Sequence, residues 1–322
     1  MTYSRIVGTG RYLPERVMTN FDLEKIVDTT DEWIRTRTGV ERRHVCAEDQ
    51  TTSDMCIEAA KIAIEDAGVD VSDIDLIITG TTTPDLIFPN ISTLIQHQLG
   101  IPVCPAFSLE AACTGFIYAL TTADKFIKAG ETKCALVIGA ECITKLVDWS
   151  DRNTCVLFGD GAGAVILKSS EEQGIISCHL GADGQYKDLL YYPVGASKNL
   201  AVAGTDAAAI MMSGNEVFKV AVKTLGRIAA ETLEKAGVTK EELDWLVPHQ
   251  ANIRIIQAMA KRLNMPMEKV ILTVQDHGNT SAASVPMALD VGIRDGRIKP
   301  GHLVLMEAFG GGFTWGSVLM RL

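Results

Sequence analysis

Glu65-Asp66-Ala67-Gly68-Val69, followed by Asp75-Leu76-Ile77-Ile78, returns 169 residues later as Glu234-Lys235-Ala236-Gly237-Val238 and Asp244-Trp245-Leu246-Val247, with no gap. In each copy a helix-patterned run stops at a glycine and an apolar run follows. Glycine just past a helix supplies the left-handed stop. An unbroken apolar run reads as a strand covered on both faces. The likeness continues: Cys134-Ala135-Leu136-Val137-Ile138 lines up with His302-Leu303-Val304-Leu305-Met306, and Phe158-Gly159-Asp160-Gly161 with Phe309-Gly310-Gly311-Gly312. The order helix, buried strand, helix, strand, glycine turn, strand therefore occurs twice. So long a period is no solenoid. It predicts two similar α/β halves, each a mixed sheet covered by helices. Their junction falls near Lys168–Gly174, giving halves 1–170 and 171–322. No flexible linker separates them, so they are expected to pack as one body.

The remaining elements follow from periodicity and punctuation. Strands are expected at 5–10, 74–79, 135–139, 164–167, 303–306 and 317–320. Helices are expected at 20–27 with Asn20 as N-cap, and at 52–67, 92–99, 215–236, 253–263 and 284–294. The run Ala111-Ala112-Cys113-Thr114-Gly115-Phe116 joins a short extended segment, 105–109, to a helix whose apolar face is Phe116, Ile117, Leu120, Ala123 and Ile127.

With 30 Lys and Arg against 40 Asp and Glu, the net charge is −10. That balance argues against a nucleic-acid binder. No apolar run approaches the ~18 residues of a membrane span, and the N-terminus lacks a signal-peptide pattern. The eight cysteines form no CxxC pair. They suit buried thiols in a reducing compartment better than zinc or a disulfide framework, so a cytoplasmic setting is expected.

Cys113 falls at the N-terminus of a helix. Free N–H groups and the helix dipole there favour a thiolate, lowering a free pKa of about 8.5, and a thiolate is the nucleophile of thioester chemistry. The alternative is a small buried thiol. His249, in Pro248-His249-Gln250-Ala251-Asn252, follows a buried strand. Asn279, in His277-Gly278-Asn279-Thr280-Ser281, precedes a helix. In duplicated α/β halves clefts form where strand ends meet, so cysteine, histidine and asparagine at such ends make a nucleophile with two hydrogen-bond donors. A strand-end histidine and a capping asparagine are the plainer alternatives. Trp33 and Arg37, four apart, suit a flat ring bearing phosphates, or a tryptophan packing a helix end.

Ala111-Ala112-Cys113-Thr114-Gly115-Phe116, Pro248-His249-Gln250-Ala251-Asn252, Gly278-Asn279-Thr280-Ser281-Ala282-Ala283-Ser284 and Glu307-Ala308-Phe309-Gly310-Gly311-Gly312-Phe313-Thr314-Trp315-Gly316 together resemble the signatures of the β-ketoacyl-acyl carrier protein synthase III family. Asp31-Glu32-Trp33-Ile34-Arg35-Thr36-Arg37-Thr38-Gly39 resembles it too, and the similarity spans the chain. The resemblance implies the thiolase-like fold, two halves with mixed five-stranded sheets in an α/β/α/β/α layering, and a homodimer. It implies decarboxylative Claisen condensation of a short acyl-CoA, acetyl-CoA first among them, with malonyl-acyl carrier protein, through an acyl-Cys113 intermediate and without metal or redox cofactor. His249 and Asn279 then bind the thioester oxygen, and backbone N–H groups of Cys113 and Gly311 form the oxyanion hole. Trp33, Arg37, Arg152 and Arg254 match coenzyme A contacts. Phe88 matches an acyl-pocket residue reaching across the dimer, and Phe309 one beside the nucleophile. Lys219, Arg254, Lys261 and Arg262 match a basic surface for the acidic carrier protein, although a solvated helix face explains the last two individually.

Two positions depart from the family pattern. Ser108 stands where aspartate is frequent, and Glu110 where a small or apolar residue is usual. A buried carboxylate beside Cys113 would oppose the thiolate, so Glu110 is expected to point away. Among rivals, a degradative thiolase needs a second cysteine in its last glycine loop, and Phe309–Gly316 has none. Extending condensing enzymes pair two histidines with the cysteine, where this chain has Asn279. Gly159–Gly163 precedes a strand-like run, so it lacks the context of a dinucleotide fingerprint. The intact cysteine, histidine and asparagine set argues against an acyl-carrier binding module without catalysis, and a secondary-metabolism relative taking other acyl-CoA substrates is the alternative left open.

Overall fold

The helix Thr52–Ala67 starts at Thr51, whose side chain accepts from the Asp54 N–H while Asp54 answers the Thr51 N–H. This is a capping box. It stops at Gly68 with φ 61°. Its copy, Gly214–Ala236, stops at Gly237 with φ 65°. After each stop comes a short 3-10 turn, Val71–Asp73 or Lys240–Glu242, and then a buried parallel strand, Leu76–Gly80 or Trp245–Pro248. The computed structural model describes residues 2–203, 205 and 208–322.

Strands Tyr3–Tyr12, Gly161–Ser170, Cys134–Glu141, Leu76–Gly80 and Ala106–Leu109 form one sheet in that order. The first two junctions are antiparallel and the last two parallel. The second sheet repeats the scheme with Ile175–Ala182, Thr314–Arg321, Leu303–Gly310 and Trp245–Pro248. Helices Gly115–Lys128 and Ser284–Arg294 lie between the sheets; Thr52–Ala67 and Ile91–Leu99 cover the outer face of the first, and Gly214–Ala236 with Ile253–Leu263 that of the second. Five layers enclose three apolar cores. The middle one holds Phe116, Ile117, Leu120, Val285 and Leu289 from the inner helices against Val137, Val304 and Val318. Cys134–Glu141 and Leu303–Gly310 are buried at every position, as strands covered on both faces must be.

Two expectations change. The first helix is Asn20–Leu23 and its cap is Thr19, again through a capping box with Asp22. Asn20 is buried instead, its amide donating to Asp31 Oδ1 at 2.9 Å and the Val40 carbonyl at 2.8 Å. The second sheet also has four ladder strands. Its fifth place is a single parallel bridge, Leu246 to Val270. The next rung would need an N–H from Pro248, which proline lacks. The Gln250 carboxamide takes over: Nε2 donates to the Pro248 and Ile271 carbonyls at 2.8 and 3.1 Å, and Oε1 accepts from Thr273 and Val274 N–H at 2.9 and 3.1 Å. One fully buried side chain thus satisfies the backbone groups of the missing rung.

Gln250→Leu keeps the volume and orphans those groups. With about 1–3 kcal/mol per unsatisfied buried group, the substitution is expected to cost on the order of 3–5 kcal/mol, read as a lower urea midpoint. An unchanged midpoint would show that water replaces the amide.

Candidate active site

Cys113 sits in the 3-10 turn Ala112–Thr114, which runs directly into the helix Gly115–Lys128. The opposing turn, Ser281–Ala283, runs into Ser284–Arg294. Ala112 has φ 47° and Ser281 φ 50°. Left-handed backbone is uncommon for residues with a side chain, and these two stand 169 residues apart, the spacing of the repeat. The Cys113 turn therefore faces its own duplicate. Gly139 permits the approach, since a Cβ there would lie 2.3 Å from the Ala282 carbonyl oxygen. Gly310 backs Cys113, where a Cβ would lie 2.7 Å from the Cys113 nitrogen.

His249 continues the strand Trp245–Pro248, its N–H donating to the Glu307 carbonyl at 2.8 Å. Its Nδ1 lies 2.6 Å from Ser284 Oγ, and that oxygen also accepts from the Gln250 N–H at 3.3 Å. A Ser284 hydroxyl that donates to Nδ1 leaves the imidazole proton on Nε2. Asn279 is held by its N–H to the Leu157 carbonyl at 2.8 Å and by its own carbonyl to Gly159 N–H at 3.1 Å. Its Oδ1 accepts from Ser281 N–H at 3.0 Å, which frees the amide to donate. One cavity of about 820 Å³ is lined by Cys113, His249, Asn279, Phe309 and Gly311, with Trp33, Arg37 and Arg254 also on its wall.

Burial decides the protonation states. Cys113, His249 and Asn279 are each under a tenth exposed. The Cys113 thiol is pushed up to about 11, by burial first and by Glu141 as well, with Ser281 working against them. The expected lowering by the helix end is thus overturned, because desolvation of the anion outweighs a dipole effect of about 0.3–2 kcal/mol. Burial lowers His249 to about 4, so it is neutral at pH 7. Glu110 is exposed on the cavity wall and is not among the groups that shift Cys113. The carboxyl that opposes the thiolate is Glu141, fully buried at the end of its strand and raised to about 7 by burial.

Around the entrance the guanidinium carbons of Arg37 and Arg152 both lie 5.0 Å from the Trp33 ring centre. Asn252 Nδ2 donates to the Arg37 carbonyl at 3.0 Å, tying that helix to the one bearing Arg254. Lys219, Arg254, Lys261 and Arg262 are exposed on the adjacent helices Gly214–Ala236 and Ile253–Leu263. Lys219 pairs with Glu216 at 2.8 Å, and the Arg262 stem lies over Gly226. Phe88 is 83% exposed and off the cavity wall. Ser284, Ser281 and Glu141 were not singled out by the motifs. The two serines lie inside a quoted motif, and the repeat offset alone would have set Ser281 opposite Ala112. Among the described residues, no group of three or more His, Cys, Asp or Glu is arranged to hold a metal ion, and no helix is long and apolar enough to cross a membrane.

Comparison with known proteins agrees in each direction. Residues 107–184 match the family model for 3-oxoacyl-[acyl-carrier-protein] synthase III, and residues 233–322 the model for its C-terminal part. The chain is 60% identical over 321 residues to the β-ketoacyl-[acyl-carrier-protein] synthase III of Thioalkalivibrio sulfidiphilus, covering 100% of both chains. It is 60% identical to that of Xylella fastidiosa, covering 99% of this chain and 98% of the other. The crystal structure of 3-oxoacyl-[acyl-carrier-protein] synthase III from Aquifex aeolicus superposes with TM-score 0.93 at 50% identity, over 99% of this chain and 100% of that one.

A second buried carboxyl, Glu307, has no hydrogen-bond partner for either oxygen among the described residues and is raised to about 8 by burial. Between the unfolded carboxyl value near 4.5 and about 8, the folded state holds a proton that the unfolded chain has lost. Stability therefore falls as pH rises through that window. His249 and His277, both lowered to about 4, act oppositely, removing stability as pH falls below 6.5. Above 6.5 only the carboxyl effect remains of the two. Glu141, raised to about 7, adds to the decline, so denaturant midpoints are expected to fall from pH 6.5 to 8 and to fall less steeply in Glu307→Gln; an equal slope in both proteins would refute the assignment.

Proposed function

Because the chain belongs to the β-ketoacyl-[acyl-carrier-protein] synthase III family, it is a condensing acyltransferase that initiates fatty-acid synthesis from an acyl-CoA and malonyl-acyl carrier protein, and we propose that Cys113, His249 and Asn279 carry the reaction with acetyl-CoA as starter. The observation that carries this reading is the meeting of one sulfur, one imidazole and one carboxamide on a single cavity, the carboxamide oxygen held by the Ser281 N–H.

The Cys113 sulfur attacks the acyl carbonyl carbon, and coenzyme A leaves as its thiol. Malonyl-acyl carrier protein then enters. Its carbon–carboxylate bond breaks, carbon dioxide departs, and the electron pair spreads onto the thioester oxygen. His249 Nε2–H and the Asn279 amide stabilise that oxygen, where charge exists only in the transition state and enolate. A neutral imidazole held near pKa 4 stabilises the enolate without protonating its carbon. The carbanion attacks acyl-Cys113, the N–H groups of Cys113 and Gly311 hold the oxyanion, and the sulfur leaves. Decarboxylation supplies the carbanion, so electrons balance without a redox cofactor or metal.

Trp33 offers its ring to adenine, with Arg37, Arg152 and Arg254 toward the phosphates; the cations already beside the ring support this. The basic residues Lys219, Arg254, Lys261 and Arg262 receive the carrier protein, steering an acidic partner to one patch of a protein of net charge −10. The chain works as a homodimer: Leu86, Ile87, Phe88 and Val103 are 51, 68, 83 and 100% exposed, a run of apolar side chains suited to a second copy. Phe88 then closes the partner's acyl pocket, and Phe309 shapes the space beside Cys113. The halves divide at 170/171, between strands Gly161–Ser170 and Ile175–Ala182. The setting is the cytoplasm, where the carrier-bound substrate is made.

Cys113→Ser is expected to leave the fold intact and abolish transfer of an acetyl group from acetyl-CoA, followed as peptide mass; undiminished loading would sink the nucleophile. His249→Ala is expected to slow malonyl decarboxylation by a factor of 100 or more, in the range of a lost oxyanion donor, and to spare loading. Equal losses in both half-reactions would remove its separate role. Trp33→Ala should raise KM for acetyl-CoA roughly tenfold, the cost of about 1.4 kcal/mol of stacking, with kcat held.

A further inference from the structure

The Ser281 hydroxyl lies 3.5 Å from Cys113 Sγ and 3.4 Å from Glu141 Oε1. It has one proton and two acceptors. We propose that Ser281 is a positioning residue for the nucleophile, a hydroxyl that donates to the Cys113 sulfur whenever it is anionic and turns to the buried Glu141 carboxyl whenever the sulfur carries an acyl group. This rests on the reading of Cys113 as the nucleophile.

The geometry supports such a switch. Glu141 is clamped by Thr83 Oγ1 at 2.7 Å, by Thr82 N–H and Oγ1 at 3.0 Å and by Thr81 Oγ1 at 3.4 Å. The carboxyl is therefore fixed, and the hydroxyl rotor is the moving part. Its hinge is fixed too: Ser281 occupies the left-handed turn that duplicates Ala112, and its N–H is spent on Asn279 Oδ1. A thiolate is a strong acceptor and a thioester sulfur a weak one. When sulfur attacks the acyl carbon, its S–C bond forms, the carbon–sulfur bond to coenzyme A breaks, and the thiol proton ends on coenzyme A. During condensation the new C–C bond forms and the S–C bond breaks, the electron pair returning to sulfur. The hydrogen bond from Ser281 strengthens as that pair returns, and the serine proton itself stays on its oxygen. A hydrogen bond to a charged group is among the stronger ones in a dry site, so the contact counts where charge develops.

The titratable groups acting on the pair are known. Glu141 is felt by Cys113 and by Cys56 behind it, and His249, on the same cavity, is neutral at pH 7. Removing the donor and removing the rival carboxylate should therefore shift the thiol in opposite directions. Alanine suits the backbone at 281, because Ala112 already adopts the equivalent conformation.

The test is the pH profile of Cys113 alkylation by iodoacetamide, followed on the Cys113 peptide by mass, in the full chain and in Ser281→Ala and Glu141→Gln. Ser281→Ala is expected to raise the apparent pKa by about one unit and slow alkylation at pH 8 about tenfold. Glu141→Gln is expected to lower the apparent pKa. An unshifted Ser281→Ala profile, or shifts of the same sign in both variants, overturns the proposal. Should Ser281→Ala not fold, Ser281→Gly, which suits the left-handed backbone, takes its place with the same expected shift and the same refuting outcome. Acetyl transfer to wild-type Cys113 from acetyl-CoA is measured alongside. Its absence would refute the nucleophile reading, whereas normal loading with unshifted profiles would refute only the role of Ser281.

Discussion

Two strained turns pressed against each other, Ala112–Thr114 and Ser281–Ala283, are the constraint on which the molecule depends. Each leads a strand-bordered loop into an inner helix, and each holds one residue in left-handed backbone. Strain of this kind costs of order 1–3 kcal/mol per residue and persists only where the surroundings over-determine it. Here the surroundings are the two inner helices and both sheets, joined in a core that contains Phe116, Ile117, Val285 and Leu289. The same packing that stabilises the middle layer thus brings Cys113 and Ser281 face to face.

Desolvation then sets the chemistry. A sulfur, two carboxyls and an imidazole are each buried, and in each the charged form is disfavoured. In the reaction proposed for this cavity that suits His249 and Asn279, neutral groups held by Ser284 and the Ser281 N–H where charge would develop on the substrate. For Cys113 it is a cost, offset in part by the serine hydroxyl at 3.5 Å. The cations lie elsewhere, in the exposed guanidinium groups beside Trp33. In the proposed reaction, buried depth and cationic rim would separate bond-making from recognition.

Local sequence carried the fold further than it carried the site. Terminal glycines and all-apolar strands announced the repeated helices and buried strands, because those signals act over a few residues. The candidate residues Cys113, His249 and Asn279 were read in the same way, each at an element's end. The supporting groups were less so. Gln250 replaces a rung only because Pro248 happens to lie opposite Ile271, and Glu141 reads as the last residue of an apolar strand until Thr81, Thr82 and Thr83 are placed around it.

By itself the sequence determined the duplicated α/β order, the helix stops, the placement of Cys113, His249 and Asn279 at element ends, and the family. Only the tertiary structure decided the protonation states and the neighbours: a thiol raised to about 11 where a helix end alone would lower it, and a serine shared by that thiol and a buried carboxyl. The reason is range. Caps and periodicity are encoded between residues a few positions apart, whereas burial and the meeting of Cys113 with Ser281 arise between segments 168 positions apart, which only the folded layers bring together.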